Sequence, residues 1–255
     1  MLCEPHSKKR LPVVGYLQEI FRLFYPERCA ACGRILPEGV SLFCPHCQWD
    51  MPLTGYCSIH DNPVYAKFGG LIPVQEASSW LFFTTPSRYR DLIHSFKYRG
   101  TWKLCNQLGT LMGYALAEGG LYQDVDLILP VPLHPFRKWR RGYNQAEYLA
   151  EGIAKVLKRP VCRDHLIRKY YNRSQATTLK RHQRWENVQN IFAVHHPEHL
   201  SGKHLLLVDD VLTTGATLIS CAETLLKNSP DCRISIATLA VSAHELFGRH
   251  KGGGL

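Results

Sequence analysis

The chain has no apolar run that approaches the roughly 18 residues of a membrane-spanning helix, so no membrane span is predicted. The basic start does not read as a signal peptide, because Gln18, Glu19 and Arg22 interrupt the apolar stretch and no small-residue cleavage site follows. We therefore expect a cytoplasmic protein. The stretch predicts a short amphipathic helix whose apolar face is Leu17, Ile20, Phe21 and Phe24.

Acidic residues are scarce in one long part of the chain. Between His134 and Arg184 there are fourteen lysines and arginines against three acids, a net charge of +11, whereas the rest sums to −1. The overall charge of +10 therefore belongs to residues 134–184, here called the basic segment. Such a local excess of positive charge predicts a polyanionic partner for that region.

The chain contains ten cysteines, and clustered cysteines in a protein expected to be cytoplasmic bind metal more often than they form disulfides. Two CxxC pairs occur, namely Cys29 with Cys32 and Cys44 with Cys47. Together they can present four thiolates to one structural zinc ion, with His46 and Cys57 as substitutes. A redox role is the alternative, but two copies occur and neither lies in a βαβ pattern.

An apolar run, two acids, a hydroxyl-rich turn and a helix follow one another late in the chain. Residues 205–208 predict a buried parallel strand, and Asp209 and Asp210 come at its carboxyl end, where ligands of open α/β sheets bind. Gly215 permits a tight turn before a helix whose dipole favours phosphate. We predict a sugar-phosphate site with the carboxylates on ribose hydroxyls. The alternative is an ordinary strand–turn–helix joint with a capping threonine.

The same order of elements occurs earlier, at residues 125–157. A strand ending in prolines precedes a loop rich in cations, which suits pyrophosphate because arginine donates bidentate hydrogen bonds. Asn144 is the predicted N-cap of the next helix, with Glu147 reaching back. The predicted buried stripe of that helix is Ala146, Leu149, Ala150, Ile153 and Leu157. The repetition predicts an α/β fold with a doubly wound parallel sheet.

Residues 168–192 are polar and basic with little periodicity, as in functional or mobile loops. Tyr170, Tyr171 and Trp185 can stack bases there or serve as ordinary anchors of the loop. A helix is also predicted within 80–100, and its His94, Lys97 and Arg99 face either water or a ligand. The candidate nucleic-acid residues are Lys97, Lys138, Arg168, Lys169, Tyr170, Tyr171, Arg173, Lys180, Arg181 and Arg184.

Residues 208–217 resemble the motif with which type I phosphoribosyltransferases hold phosphoribosyl pyrophosphate (PRPP). The resemblance implies that the two acids hold the ribose hydroxyls, that the turn holds the 5-phosphate, and that Mg²⁺ accompanies PRPP. The implied PRPP residues are Asp209, Asp210, Val211, Leu212, Thr213, Thr214, Gly215, Ala216 and Thr217. The pyrophosphate loop of that family corresponds to the basic loop, with Pro132, Leu133, Arg137, Arg140 and Arg141 as candidates.

The order of motifs resembles the ComF/GntX family over residues 29–243, almost all of the chain. After the cysteine pairs come residues 96–100, residues 130–147, four spaced residues and the PRPP motif. The four are Gln175, Leu179, Arg184 and Asn187. Members of the family are associated with natural transformation or DNA utilisation and act on incoming single-stranded DNA. The resemblance implies single-stranded DNA and PRPP as partners, together with DNA-uptake or recombination proteins.

The 255 residues, 45% of them hydrophobic, allow one domain with a substantial core and a small appendage. We expect an extension at 1–25, a zinc-binding module at 26–56, a phosphoribosyltransferase-like domain at 57–245 and a flexible tail at 246–255. The expected function is PRPP binding and single-stranded DNA handling. Two alternatives stay open: a phosphoribosyltransferase acting on a nitrogenous base, for which no general acid or base stands out, and a PRPP-sensing regulator.

Overall fold

The structure, a computed structural model, describes residues 26–83, 87–96, 100–169 and 191–247. The chain divides into two units, Met1–Asp50 and Met51–Leu255. The helix predicted over residues 17–24 lies outside the described residues. In the described part of the chain, no helix combines the length and the apolar character needed to cross a membrane.

The first unit consists mainly of turns around one short helix, α1 (Pro45–Trp49), with Cys44 at its N-cap. An antiparallel bridge joins Arg28 to Ile35, and the N–H of Cys29 donates to the carbonyl of Arg34 at 2.7 Å. Such a small unit has little room for an apolar core. A metal that cross-links its turns would therefore contribute strongly to its stability.

The second unit alternates strands and helices. Its strands are β1 (Ala77–Phe83), β2 (Leu127–Pro130), β3 (Leu166–Arg168), β4 (Phe192–Val194), β5 (His204–Leu212) and β6 (Arg233–Ser242). Its helices are α2 (Pro63–Ala66), α3 (Arg88–Ser95), α4 (Trp102–Gly119), α5 (Pro135–Arg141), α6 (Gln145–Leu157), α7 (Ala216–Asn228) and α8 (Ala243–Phe247). Short 3-10 turns occur at Tyr56–Ser58 and Pro197–His199.

Four strands form a parallel sheet in the order β1-β6-β5-β2, and β3 pairs with β4 in a separate antiparallel ribbon. Successive side chains of β5 point to opposite faces of the sheet. Leu205 and Leu207 pack in one apolar cluster with the inner face of α7, while Leu206 and Val208 are equally buried. On that second side α6 contacts both β2 and β5. The predicted parallel-sheet α/β fold is confirmed.

The helix predictions around the two motifs are confirmed in most details. The predicted apolar face of α7 is buried, namely Leu218, Cys221, Ala222 and Leu225. Asn144 caps α6, since its Oδ1 accepts from the N–H of Ala146 at 3.2 Å. Glu147 approaches the side-chain amide of Asn144, at 3.5 Å, rather than its backbone N–H. Leu157, predicted as part of the buried stripe, is only half-buried.

The strand before the acids is longer than predicted. We expected it to end at Val208, but β5 continues through Asp209 and Asp210 to Leu212, which pairs with Val241 of β6. The reason is the neighbouring strand, which offers backbone partners beyond the apolar run. Both carboxylates therefore stand on a hydrogen-bonded strand and not on a free loop.

The cation-rich segment predicted as a loop contains the helix α5, and the prediction is corrected on this point. His134 caps the helix through its Nδ1, which accepts from the N–H of Phe136 at 3.2 Å. Pro135 suits the first helical position because it lacks the N–H that would be unpaired there. Gly142 ends the helix with φ of +83°. These local signals outweigh the repulsion between neighbouring cations.

Helices α4 and α6 meet at glycines. A Cβ at Gly109 would lie 2.2 Å from the carbonyl oxygen of Leu149, and a Cβ at Gly152 would lie 2.2 Å from the carbonyl oxygen of Asn106. Backbone atoms cannot swing aside as flexible side chains can. Only glycine can therefore occupy these two positions, and the close contact fixes α6 against α4.

We expect Gly152→Ala to destabilise the second unit by about 2 kcal/mol or more, because overpacking a close contact forces the backbones apart. Denaturant titration gives the free energy of unfolding. Tyr114→Ala, on an exposed position of α4, is the control and should cost less than about 0.5 kcal/mol. Similar losses in the two variants would show that the helices do not meet as closely as described.

Candidate anion-binding site and candidate metal centre

A cavity of about 410 Å³ lies at the carboxyl ends of β2 and β5. Parallel strands bring the residues that follow them to one edge of the sheet, which is where ligands of such folds bind. The residues that β5 and the following turn contribute are Asp209, Asp210, Val211, Thr213 and Thr217. The segment after β2 contributes Pro132, Leu133, Arg137 and Arg141. The two motifs of the sequence therefore share one cavity.

Two carboxylates form the acidic wall. The N–H of Asp210 donates to Oδ1 of Asp209 at 2.9 Å, and the N–H of Val211 donates to Oδ1 of Asp210 at 2.7 Å. Desolvation by the surrounding protein raises the pKa of Asp209 well above its ordinary value, and repulsion from Asp210 adds to the shift. A ligand that brings hydrogen-bond donors or a cation to this wall would stabilise the ionised form.

The turn after β5 is tight and places hydroxyl groups beside the cavity. Gly215 has φ of +82° at the N-cap of α7, and a Cβ there would lie 3.3 Å from the ring of Phe68. The Thr214 hydroxyl accepts from the N–H of Ala216 at 3.4 Å. Thr213 and Thr217 line the cavity, beside the first turn of the helix. Hydroxyls and a helix start together suit the oxygen atoms of a phosphate.

Arg141 is the buried cation of the opposite wall, with 9% of its surface exposed. Its Nη1 donates to Oε1 of Gln145 at 2.9 Å, but its buried Nε has no hydrogen-bond partner among the described residues. Desolvation lowers the pKa of Arg141, while the charge of Asp210 acts against that shift. A buried donor without a partner is costly, and an anionic ligand would satisfy it.

Arg168 joins the same cavity from β3. Its guanidinium lies 5.5 Å from the ring centroid of Phe192, and its buried Nε also has no partner in the described part of the chain. Burial, followed by repulsion from Arg137, lowers the pKa of Arg168. The sequence predicted a nucleic-acid contact at this position, whereas the structure places the side chain in the cavity.

Two buried amides position the cationic wall. Asn144 donates from Nδ2 to the carbonyl of Val131 at 3.0 Å, which ties the start of α6 to the end of β2. Gln145 donates from Nε2 to the carbonyl of Phe96 at 2.7 Å while its Oε1 accepts from Arg141. The role of Gln145 cannot be predicted from the sequence, because no local pattern shows which glutamine is buried. Phe83, Ile93 and His94 also line the cavity.

Acids and guanidinium groups thus face one cavity from different elements. Carboxylates accept from vicinal hydroxyls and can share a Mg²⁺ ion with phosphate oxygens. Guanidinium groups donate to phosphates, singly or in pairs. The arrangement therefore suits a ligand that carries hydroxyls and several phosphate groups.

Other residues predicted for the site occupy supporting or outer positions. Leu212 and Gly215 are buried beneath the turn, and Thr214 and Ala216 are exposed. Arg140 is exposed and does not line the cavity.

The nucleic-acid candidates are spread over more than one surface. Lys138 is exposed and pairs with Glu147 at 2.8 Å. Lys169 is exposed beside β4 and lines a separate hollow with Lys227. The remaining candidates lie outside the described residues: Lys97, Tyr170, Tyr171, Arg173, Lys180, Arg181 and Arg184.

The first unit brings its two cysteine pairs together. The four sulfur atoms, of Cys29, Cys32, Cys44 and Cys47, all lie within 4.8 Å of one another. The Sγ atoms of Cys32 and Cys44 are 3.8 Å apart. Tetrahedral zinc with Zn–S bonds of about 2.3 Å requires S–S separations of about 3.8 Å. The donor set and its spacing therefore fit a tetrahedral, thiolate-bound metal such as zinc.

The surroundings of these thiols favour the thiolate form that a metal needs. A hydrogen bond from the Arg34 side chain, whose Nε lies 3.4 Å from Sγ, is the main cause that lowers the pKa of Cys32 to about 6. Burial opposes ionisation of Cys29, but backbone donors led by the N–H of Cys44 outweigh it, so the pKa of Cys29 is also lowered.

The two substitute ligands do not join this cluster. His46 is outside the group of metal-ligating side chains found among the described residues. Cys57 is buried in the second unit, where its thiol accepts from the Ser78 hydroxyl at 3.8 Å, and burial raises its pKa. Neither side chain therefore adds a metal ligand to the four sulfurs.

Comparison with known proteins finds a matching domain family and several relatives that align with this chain over most of their length. The family described as phosphoribosyl transferase domain matches residues 144–251. Competence protein F of Haemophilus influenzae is 29% identical over 215 residues, which cover 80% of this chain and 93% of that protein. DNA utilization protein YhgH of Escherichia coli O6:H1 is 30% identical over 220 residues, with coverage of 81% and 93%. Competence protein ComFC of Bacillus subtilis is 25% identical over 213 residues, with coverage of 83% and 76%.

We expect Cys44→Ser to abolish metal binding and to destabilise the first unit, because one of four thiolates is lost. The metal content of the purified protein, measured by elemental analysis, should fall from stoichiometric to background. Cys162→Ser, at a half-buried position of the second unit, is the control and should keep its metal. Full metal content in the Cys44 variant would contradict the ligand set.

Proposed function

Because the chain belongs to the ComF/GntX family, we propose that it binds PRPP with Mg²⁺ and handles single-stranded DNA in the cytoplasm during DNA uptake or utilisation. The observation that carries the PRPP proposal is the cavity itself. It combines the acids and turn of a PRPP motif with the buried Arg141 and the half-buried Arg168, whose buried Nε atoms have no partner among the described residues. A ligand rich in phosphates would satisfy both.

The ligand has a natural orientation in this cavity. The ribose hydroxyls donate to Asp209 and Asp210, and the 5-phosphate lies at the turn near Thr213 and Thr217. The pyrophosphate then reaches the cationic wall, where Arg137 and Arg141 donate to its oxygens. Mg²⁺ would be held by pyrophosphate oxygens and carboxylates, since it prefers oxygen ligands.

The DNA proposal rests on two supports of different kinds. The relatives carry the names competence protein and DNA utilization protein. The basic segment carries a net charge of +11, more than a single PRPP molecule needs. We propose single-stranded DNA as the polyanion, a structural zinc in the first unit, and DNA-uptake or recombination proteins as further partners.

We expect Asp209→Asn to weaken PRPP binding by about tenfold to a hundredfold, the cost of losing a charge-assisted hydrogen bond. In the wild type, binding needs the ionised carboxylate, whose pKa is raised. Affinity should therefore fall as the pH falls through that raised pKa, at a higher pH than for an ordinary aspartate. The asparagine variant should lack this step. Calorimetry with PRPP and Mg²⁺ across a pH series measures both effects.

PRPP itself also titrates, but this titration affects the wild type and the Asp209→Asn variant equally. The difference between their pH profiles therefore reports on Asp209. Asp61→Asn, at an exposed position of the second unit, serves as the control and should bind as the wild type does. Removing the Asp209 charge relieves desolvation and repulsion, so the variant should be at least as stable as the wild type. Wild-type affinity in the Asp209 variant would overturn the assignment of the acidic wall.

We expect binding of a single-stranded oligonucleotide to weaken steeply as salt rises, because neutralised phosphates release their counter-ions. The logarithm of affinity plotted against that of salt concentration gives the number of phosphates contacted. Arg140→Gln should lower the slope by about 0.7, the value for one contact on a single strand.

Lys203→Gln, exposed just before β5 and thus at the opposite end of the strand from the cavity, should leave the slope unchanged. Fluorescence anisotropy with a labelled strand is a suitable measurement. Absence of binding at low salt would sink the DNA proposal and leave the PRPP proposal standing.

A further inference from the structure

The outer face of α5 presents two large aromatic rings to solvent. Phe136 is 60% exposed and Trp139 is 75% exposed. Their ring centroids lie 6.1 Å apart, with 30° between the ring planes. Residues three apart on a helix share one face, so the two rings form a single surface. Adjacent exposed aromatics of this size mark binding surfaces, since such side chains are usually buried.

Cations alternate with the rings along the same short helix. Arg137, Lys138 and Arg140 are all exposed. Lys138 is partly neutralised by Glu147, and Arg137 reaches into the cavity. Arg140 makes no hydrogen bond or ion pair within the described residues. The rings are therefore surrounded by positive charge, and part of that charge is available to a partner.

The helix does not depend on the two rings for its own stability. It is capped by His134 at one end and by Gly142 at the other, and Arg141 anchors its inner side. Neither Phe136 nor Trp139 belongs to the apolar core of the second unit. A role in packing therefore does not explain why two large rings stand at these positions.

We propose that Phe136, Trp139 and Arg140, with Arg137 and Lys138 beside them, form a platform on which bases of single-stranded DNA stack. The inference rests on the proposed function and assigns that function to a surface. A single strand is the polyanion that also offers free aromatic faces, so both halves of the platform are used. In a duplex the base faces are already stacked, and an acidic peptide brings charge without flat rings.

A lipid surface would also attract cations and aromatics, but the geometry is unfavourable for it. Helices that lie on membranes present a long apolar face, whereas α5 has seven residues and a buried arginine on its inner side. The platform is also continuous with the phosphate-binding cavity through Arg137. A strand on the platform would therefore run past the mouth of the cavity.

The test compares Phe136→Ala/Trp139→Ala with the wild type. Affinity for a labelled oligothymidylate should fall about tenfold or more, because stacking contributes strongly for each base. Affinity for an abasic oligonucleotide of the same length should not change, since that strand has phosphates but no bases. Trp139→Phe should restore most of the affinity when Phe136 is intact. PRPP affinity, measured by calorimetry, should stay at the wild-type value.

Tyr114→Ala is the matched control, an exposed aromatic whose neighbour one helical turn along is Glu118 rather than a cation. It should bind oligothymidylate as the wild type does. Thermal unfolding of each variant checks the fold, and both altered positions are exposed, so the transition should not move. The oligomeric state of each variant, measured by light scattering, detects a surface that pairs two copies of the chain.

The outcomes distinguish failure of the stacking platform from failure of the proposed DNA binding. Loss of oligothymidylate affinity with abasic affinity preserved supports the platform. Unchanged oligothymidylate affinity in the double variant overturns the platform while DNA binding by the wild type stands. Equal losses for both strands also overturn base stacking, as does a change of oligomeric state without an effect on DNA binding. A wild type that binds no single strand overturns the DNA proposal itself.

Discussion

Strands β2 and β5 run side by side in the same direction, with Leu127 opposite Leu205 and Pro130 opposite Val208. This pairing brings together two segments that are far apart in the sequence, because both leave the sheet at the same edge. One brings carboxylates and a glycine turn, and the other brings arginines. The burial of β5 on both faces holds the pairing in place. The position of the acids relative to the arginines depends on that register, since a shift of one residue would exchange the faces to which Asp209 and Asp210 point.

The cavity keeps charged groups in an environment that penalises their charge. Burial raises the pKa of Asp209 and lowers that of Arg141, so each group is held in the direction of its neutral form. Hydrogen bonds satisfy part of each group. The carboxylate of Asp209 accepts from the N–H of Asp210, and the guanidinium of Arg141 donates to the side chain of Gln145. What is left unsatisfied favours a ligand with complementary charges. Titratable groups with shifted pKa values that gather in one cleft are typical of functional sites.

The parts that could be predicted from the sequence are those with local signals. The apolar run of β5, the acids, the glycine turn and the face of α7 each need only a few neighbouring residues, and so do the paired cysteines. Helix α5 is not predicted from the sequence because its run of cations favours a loop, although His134 and Gly142 provide the local signals for its start and its end. The position of Arg168 in the cavity depends on tertiary structure, since this residue comes from another strand. No local pattern distinguishes it from a surface cation, and the same holds for the burial of Gln145.

The same helix serves the cavity and the surface, because its period separates neighbouring cations. Arg137 and Arg141, which are four residues apart, line the cavity, whereas Arg140 does not line it and is exposed beside the two rings. A sugar phosphate that engages Arg137 and Arg141 therefore acts on the element that also carries Phe136 and Trp139. Two ligands that share one short helix and one positive field influence each other through charge, whether or not the backbone moves. If both proposed ligands bind, phosphates in the cavity would reduce the field felt by a strand outside it, and by reciprocity a bound strand would weaken binding in the cavity.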